Sequence, residues 1–190
     1  MMSAFEYVTV LISIVIGLGI TQILRGVASI LKKIKKVKFY WPHIIWIVFT
    51  LLLHIQEWWV TYELKTYAPW RLPAFLFIMI YPINLFLMSR LLFPDSFKRK
   101  CLNLKYYYFG NFRKLYLLLS ISAVLSILYN LFILNLSIES QVLQFLLVLV
   151  LSTSAIINIS QEILHKSISL IIMLALIISI AVEWNVWLIQ

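Results

Sequence analysis

The sequence predicts an all-α integral membrane protein, a bundle of about six transmembrane helices with the N and C termini outside. Three observations point there. Of 190 residues, 63% are hydrophobic and only 12% charged, with a mean hydropathy of +0.99, whereas a soluble domain is roughly half apolar and a quarter charged. Apolar runs of about 20 residues recur along the chain, the length that crosses a ~30 Å hydrocarbon layer. Those runs are continuous rather than alternating, which selects helices over a barrel among the structures that close their own backbone hydrogen bonds.

The predicted spans are about 6–29, 41–63, 71–93, 115–136, 140–162 and 167–189, joined by short connections into one transmembrane domain over 1–190. The first span opens on the acid Glu6 with no preceding base, and Gly26-Val27-Ala28 leads straight into "SILKKIKK", which does not read as a signal peptide. Ser13, Gly17 and Thr21 follow at four-residue steps, a spacing expected to pack helices closely, within the bundle or between copies in a homo-oligomer. The second span holds "LHIQEWW", in which a histidine, a glutamine and a glutamate interrupt apolar sequence. Thr50, His54, Glu57 and Thr61 lie along one side of this helix. That side is expected to face other helices or a wet cavity, because a central charge facing lipid costs ~2.5–3.5 kcal/mol. At 1.5 Å per residue, His54 lies about 20 Å and Glu57 about 24 Å along from Trp41, in the outer half.

On the third span, Pro73 and Pro82 flank a kink beside Tyr81 and Asn84, where freed carbonyls need partners. The fourth brings Ser122 and Ser126 at a packing interval, then Tyr129 and Asn130. On the fifth, Ser154, Asn158, Gln161 and Glu162 are expected to make a polar inner half. The sixth ends near Glu183, at a level similar to Glu57.

The loops set the threading. Lys32, Lys33, Lys35, Lys36 and Lys38 fill the first. Lys98, Arg99, Lys100, Lys105, Arg113 and Lys114 fill the third, and Lys166 sits in the fifth. The second holds only Lys65 and Arg71, and the fourth no base. Odd-numbered loops are therefore expected in the cytoplasm. Basic loops beside anionic lipid account for the net charge of +9 without any nucleic-acid partner. The acids segregate oppositely: Glu6, Glu57, Glu63, Glu139 and Glu183 fall in the outer half, and only Asp95 and Glu162 inside. Segment 95–114 mixes its charge with Phe97, Tyr106, Tyr107, Tyr108, Phe109 and Phe112. It reads as an interfacial segment on headgroups or as a docking surface for a cytoplasmic protein partner.

Two candidate clusters follow. An outer polar cluster of His54, Glu57, Glu183 and Glu6 would converge near an outer mouth ringed by Trp58, Trp59, Trp70, Trp184 and Trp187. An inner cluster would pair Arg25 and Arg90 with Glu162, against the alternative that the arginines snorkel to the interface. No metal or cofactor is expected. The lone Cys101 excludes an internal disulfide and four-cysteine zinc sites, and three histidines make a haem clasp by His43 and His165 a poor reading. No Walker, GxSxG, HExxH or Gly-rich dinucleotide motif occurs, so no catalytic residue is assigned.

"FEYVTVLISIVIGLGITQIL", then "FYWPHIIW" and "EWW", resembles a family of small bacterial polytopic inner-membrane proteins with no assigned activity, over about the first 95 residues. The resemblance implies a bacterial inner-membrane setting and carries over no functional residue. The functional expectation is a transporter- or channel-like protein whose outer acidic cavity admits protons or a cation. The alternative is a membrane sensor or anchoring subunit that engages a partner through its basic aromatic loop.

Overall fold

The computed structural model describes residues 3–94 and 101–182. Six helices among them are long and apolar enough to cross a membrane, which makes the chain a multi-pass membrane protein. They are α1 (Ala4–Lys32), α2 (Trp41–Val60, continued by a 3-10 stretch Thr61–Thr66), α3 (Leu72–Leu91), α4 (Leu104–Phe132), α5 (Val142–Ile156, preceded by a 3-10 turn Ile138–Gln141) and α6 (Glu162–Val182). Helix α1 packs on α2 and α3, α3 on α4, α4 on α5, and α6 returns to α2.

Local chemistry sets the helix starts. Ser3 and Glu6 form a reciprocal capping box on α1, the Ser3 amide donating to the Glu6 carboxylate at 2.7 Å and the Glu6 amide to the Ser3 hydroxyl at 3.1 Å. Pro42 and Pro73 sit in the first turns of α2 and α3, where a missing N–H costs nothing. Asn103 caps α4 by accepting from the amides of Lys105 and Tyr106.

That cap corrects the fourth span, which begins eleven residues before the predicted 115. Much of the predicted basic loop is helix, because Leu104, Tyr108, Phe112, Leu115, Tyr116 and Leu119 recur at three- and four-residue steps and are buried. The extension also brings the Arg113 guanidinium to the carbonyl of Ala155 at the end of α5, at 2.9 Å, a favourable place for a cation. A second correction concerns the fifth span. Helix α5 stops at Ile156 and Asn158 turns left-handed, at φ 54°. Gln161 and Glu162 therefore do not belong to α5, and Glu162 opens α6.

A third correction concerns helix packing. Gly17 has open space around it and Thr21 is exposed. The face of α1 that meets its neighbours is Val8, Ile12, Ile16, Gly19, Ile23, Gly26 and Ile30. Gly19 admits the His54 ring and Gly26 the Phe93 ring so closely that a Cβ at either would collide with them. The Ser13-Gly17-Thr21 step is thus not the packing seam of this subunit; a seven-residue glycine step one face over is.

The basic loops share one end of the bundle. Strand β1 (Val37–Lys38) pairs in parallel with β2 (Leu102–Asn103), and Lys105 at the start of α4 bonds Glu162 at the start of α6 at 2.6 Å. At the opposite end, Phe5 packs edge-on against Tyr62 and the Asn130 amide donates to Gln141 at 2.7 Å. The main apolar core, around Trp46, Leu85, Met88, Leu92 and Tyr116, lies toward the basic end. A smaller one, around Ile12, Ile16, Leu64, Ile78 and Met79, lies toward the other.

Candidate functional site

The predicted polar side of α2 is buried and longer than the sequence reading made it. Thr50, His54 and Thr61 are buried and Glu57 is half-buried, and the same face continues through Trp46 and His43 to the N-cap Tyr40, all buried. At 100° per residue, the seven side chains fall within about 120° of the helix circumference. Much of the stripe bonds its own helix: Thr50 donates to the Trp46 carbonyl at 2.8 Å, and Thr61 to that of Glu57 at 2.8 Å.

His54 lies 2.7 Å from the Thr50 carbonyl through Nδ1. A carbonyl only accepts, so Nδ1 carries the proton and Nε2 is a bare lone pair, pressed against Gly19 without a partner. Glu57 lies within electrostatic reach of Tyr81 and Tyr129, and Glu63 of Tyr129. An acid–tyrosine group from α2, α3 and α4 thus occupies the end of the bundle opposite the basic loops. Glu6 is spent on the α1 cap and is exposed. Glu183, Trp184 and Trp187 lie outside the described residues.

At the basic end, α2 meets α4 and α6 in an aromatic–histidine cluster. His43 Nε2 donates to the Leu92 carbonyl at 2.9 Å, and His165 Nε2 to that of Ile159 at 2.7 Å. Each imidazole therefore turns a bare Nδ1 away from its carbonyl. His165 Nδ1 lies 2.9 Å from the Tyr108 hydroxyl and 3.1 Å from that of Tyr116, and the two hydroxyls are 2.8 Å apart. Tyr108, Phe109, Phe112 and Tyr116 surround the His165 ring, the nearest centroid at 4.5 Å. Burial, then Tyr108 and Glu162, push the Tyr40 phenol up from its ordinary range, so it is a protonated hydrogen-bond donor.

Among the described residues, four buried side-chain atoms have no hydrogen-bond partner: Tyr40 Oη, His43 Nδ1, Trp46 Nε1 and His54 Nε2. All four lie on the α2 stripe. Orphaned buried polar atoms are costly and rare, and their concentration on one helix face marks it as the candidate site.

The inner cluster is a correction. Both oxygens of Glu162 are engaged by lysines, Oε2 by Lys105 at 2.6 Å and Oε1 by Lys166 at 3.0 Å, while Arg25 and Arg90 are exposed. The start of α6 one turn before His165 explains this: Glu162 sits on the rim beside Lys166, not within the bundle. The sequence reading weighed His43 and His165 only as a haem clasp and set them aside. The available signal was the three- and four-residue spacing of Tyr40, His43 and Trp46, continuous with Thr50, His54 and Glu57. In segment 95–114, Tyr108 and Phe112 are core, whereas Tyr106 is 74% exposed. Residues 95–100 lie outside the described residues, and Cys101 is an exposed free thiol.

Comparisons with protein-family models, with curated proteins and with solved structures find no match to this chain.

Proposed function

We propose that the protein passes or senses protons through the buried polar stripe of α2, in the inner membrane of a bacterial cell with both termini outside. One observation carries the reading: all four partnerless buried atoms among the described residues lie on that stripe, from Tyr40 at the basic end to His54. Three of them belong to groups that exchange protons, and the fourth, the Trp46 indole, orients its neighbours as a donor. Glu57, half-buried among tyrosines, supplies the acidic outer end.

Among the described residues no group of three or more His, Cys, Asp or Glu side chains lies together as a metal site would need. The proton reading is tested in lipid vesicles carrying the purified full chain and an internal pH-sensitive dye, after an external acid step. The expected result is acidification faster than in protein-free vesicles and slowed by His54→Gln and Glu57→Gln. Acidification at the protein-free rate would refute conduction.

The second reading, a sensor or anchoring subunit, is favoured by Tyr106, which α4 holds exposed beside Lys105 at the basic end. Loss of a co-purifying soluble protein on Tyr106→Ser, with proton flux absent, would support it over conduction.

A further inference from the structure

We propose that the basic end of the stripe is a water-binding junction, in which ordered water held by Tyr40, His43 and Trp46 joins α2 to the Tyr108–Tyr116–His165 trio and relays a proton between the two histidines. The inference rests on the proton reading above and names its inner terminus.

Tyr40, His43 and Trp46 are three residues apart in succession and flank Tyr108. The Tyr40 and His43 ring centroids lie 5.4 and 6.1 Å from that of Tyr108, and the Trp46 ring centroid lies 5.5 Å from that of Tyr116. The partnerless atoms divide by type. The Tyr40 hydroxyl and Trp46 indole can donate, and His43 Nδ1 can only accept while Nε2 holds its proton to Leu92. A molecule that serves all three must accept twice and donate at least once. Water does so, with one donor left for Tyr108. A metal cation would repel the indole N–H, and an ammonium ion has no lone pair for it. Buried water in proteins makes about three such bonds to otherwise unsatisfied polar groups.

The trio is built to pass a proton on. It holds three close contacts but only two hydroxyl protons, because His165 Nε2–H is committed to Ile159. Either Tyr108 donates to Nδ1 and Tyr116 to Tyr108, or the reverse. When His43 carries a proton on Nδ1, that N–H bond breaks toward the water, and the water releases one of its own protons to the Tyr108 oxygen. Tyr108 gives its hydroxyl proton to His165 Nδ1, directly or through Tyr116. One N–H bond is lost, one is gained, and each oxygen ends with the protons it began with. The imidazolium then lies among four aromatic rings, which favour a cation over their faces.

The titratable groups around the junction are Tyr40 and His43 from α2, Tyr107, Tyr108 and Tyr116 from α4, and His165 from α6. Glu162 of α6 acts on Tyr40 from the rim while held by Lys105 and Lys166.

The test uses the full chain in lipid nanodiscs and vesicles. Infrared difference spectra on exchange into heavy-oxygen water should show an internal-water O–H band that is lost in Tyr40→Phe and in Trp46→Phe, and kept in the exposed control Tyr106→Phe. Nitrogen NMR of the wild type should report His43 and His165 as Nε2–H tautomers. In vesicles, Tyr108→Phe and Tyr116→Phe should slow proton flux by roughly 10²-fold, the lower end of what a positioned proton-transfer group contributes. Melting curves should stay cooperative with only a small drop in Tm, since each change removes one buried hydroxyl but retains the ring. A water band indifferent to Tyr40 and Trp46, or Nδ1–H tautomers, would overturn the junction. Flux unaltered by both tyrosine changes yet abolished by His54→Gln would overturn the relay and leave the broader proton reading standing. Wild-type flux at the protein-free rate would refute conduction, and the spectra alone would then decide the junction.

Discussion

Gly19→Ala is expected to destabilise the protein, although alanine is the better helix former. The Cβ at position 19 would land on the His54 imidazole, which is fully buried and tied to Thr50. Alanine gains about 0.5–1 kcal/mol of helix propensity. Against that stand about 1–3 kcal/mol for forcing a methyl into a packed interface, and about 1 kcal/mol if His54 gives up its bond to Thr50. The balance is a loss of about 1–3 kcal/mol, which for a chain of this size lowers Tm by roughly 2–12 °C. Gly17→Ala, two residues away with open space around it, keeps the propensity gain and should hold or raise Tm. Thermal unfolding of both variants in one mild detergent measures the difference. The double variant Gly19→Ala with His54→Ala should cost less than the two singles together, because the residue collided with is gone. Equal Tm values for Gly17→Ala and Gly19→Ala, or strict additivity in the double, would refute the Gly19–His54 contact.

Other outcomes follow from the same geometry. Asn84→Ala removes the 2.9 and 2.7 Å bonds that its amide donates to Leu118 and Ser122 of α4; at about 0.6 kcal/mol per interhelical bond in a membrane bundle, unfolding should show a loss near 1 kcal/mol. Asn103→Ala removes the α4 cap and should cost about 1 kcal/mol, with hydrogen exchange rising at 104–107 and unchanged in the middle of α4. Glu57→Gln should preserve folding and alter the proton response, as should Glu57→Leu; a drop in Tm with an unchanged response would make Glu57 a packing residue. Reporters fused after Lys36 and Ser160 should read cytoplasmic, and after Tyr67 and Ser137 external; a cytoplasmic signal at Gln190 would refute the threading.

The six apolar stretches were legible because the length of a span and the continuity of its apolar run follow directly from lipid as solvent. Boundaries were less so wherever charge and helix coincide. Lys105, Arg113 and Lys114 mark position 104–114 as a loop by hydropathy, but Asn103 can cap and Tyr108, Phe112 and Tyr116 bury one face, so the helix runs through the charges. At 157–161 the opposite occurred: only two isoleucines carry the apolar run on among polar residues, and the left-handed turn at Asn158 follows the end of α5 at Ile156. The Ser13-Gly17-Thr21 step does not form the seam within the subunit because small-residue spacing alone does not say which face meets a neighbour. That depends on the partner ring, here His54, supplied by another helix.

The α2 stripe explains why "LHIQEWW" is tolerated in so apolar a chain. A polar side chain in a span is inexpensive when it bonds a carbonyl of its own helix, as Thr50, His54 and Thr61 do. Packing alone would be satisfied by that arrangement, and Ser120, Ser154 and Ser169 elsewhere in the bundle stop there, each bonded four residues back. The stripe goes further: His43 and His54 each spend one ring nitrogen on a carbonyl and keep the other bare and buried. Leucine at position 54 would pack without an orphaned atom, whereas at 43 it would also strand the Leu92 carbonyl. Two imidazoles on one helix face, eleven residues apart and each with an open lone pair, are a costly way to fill space and a direct way to receive a proton.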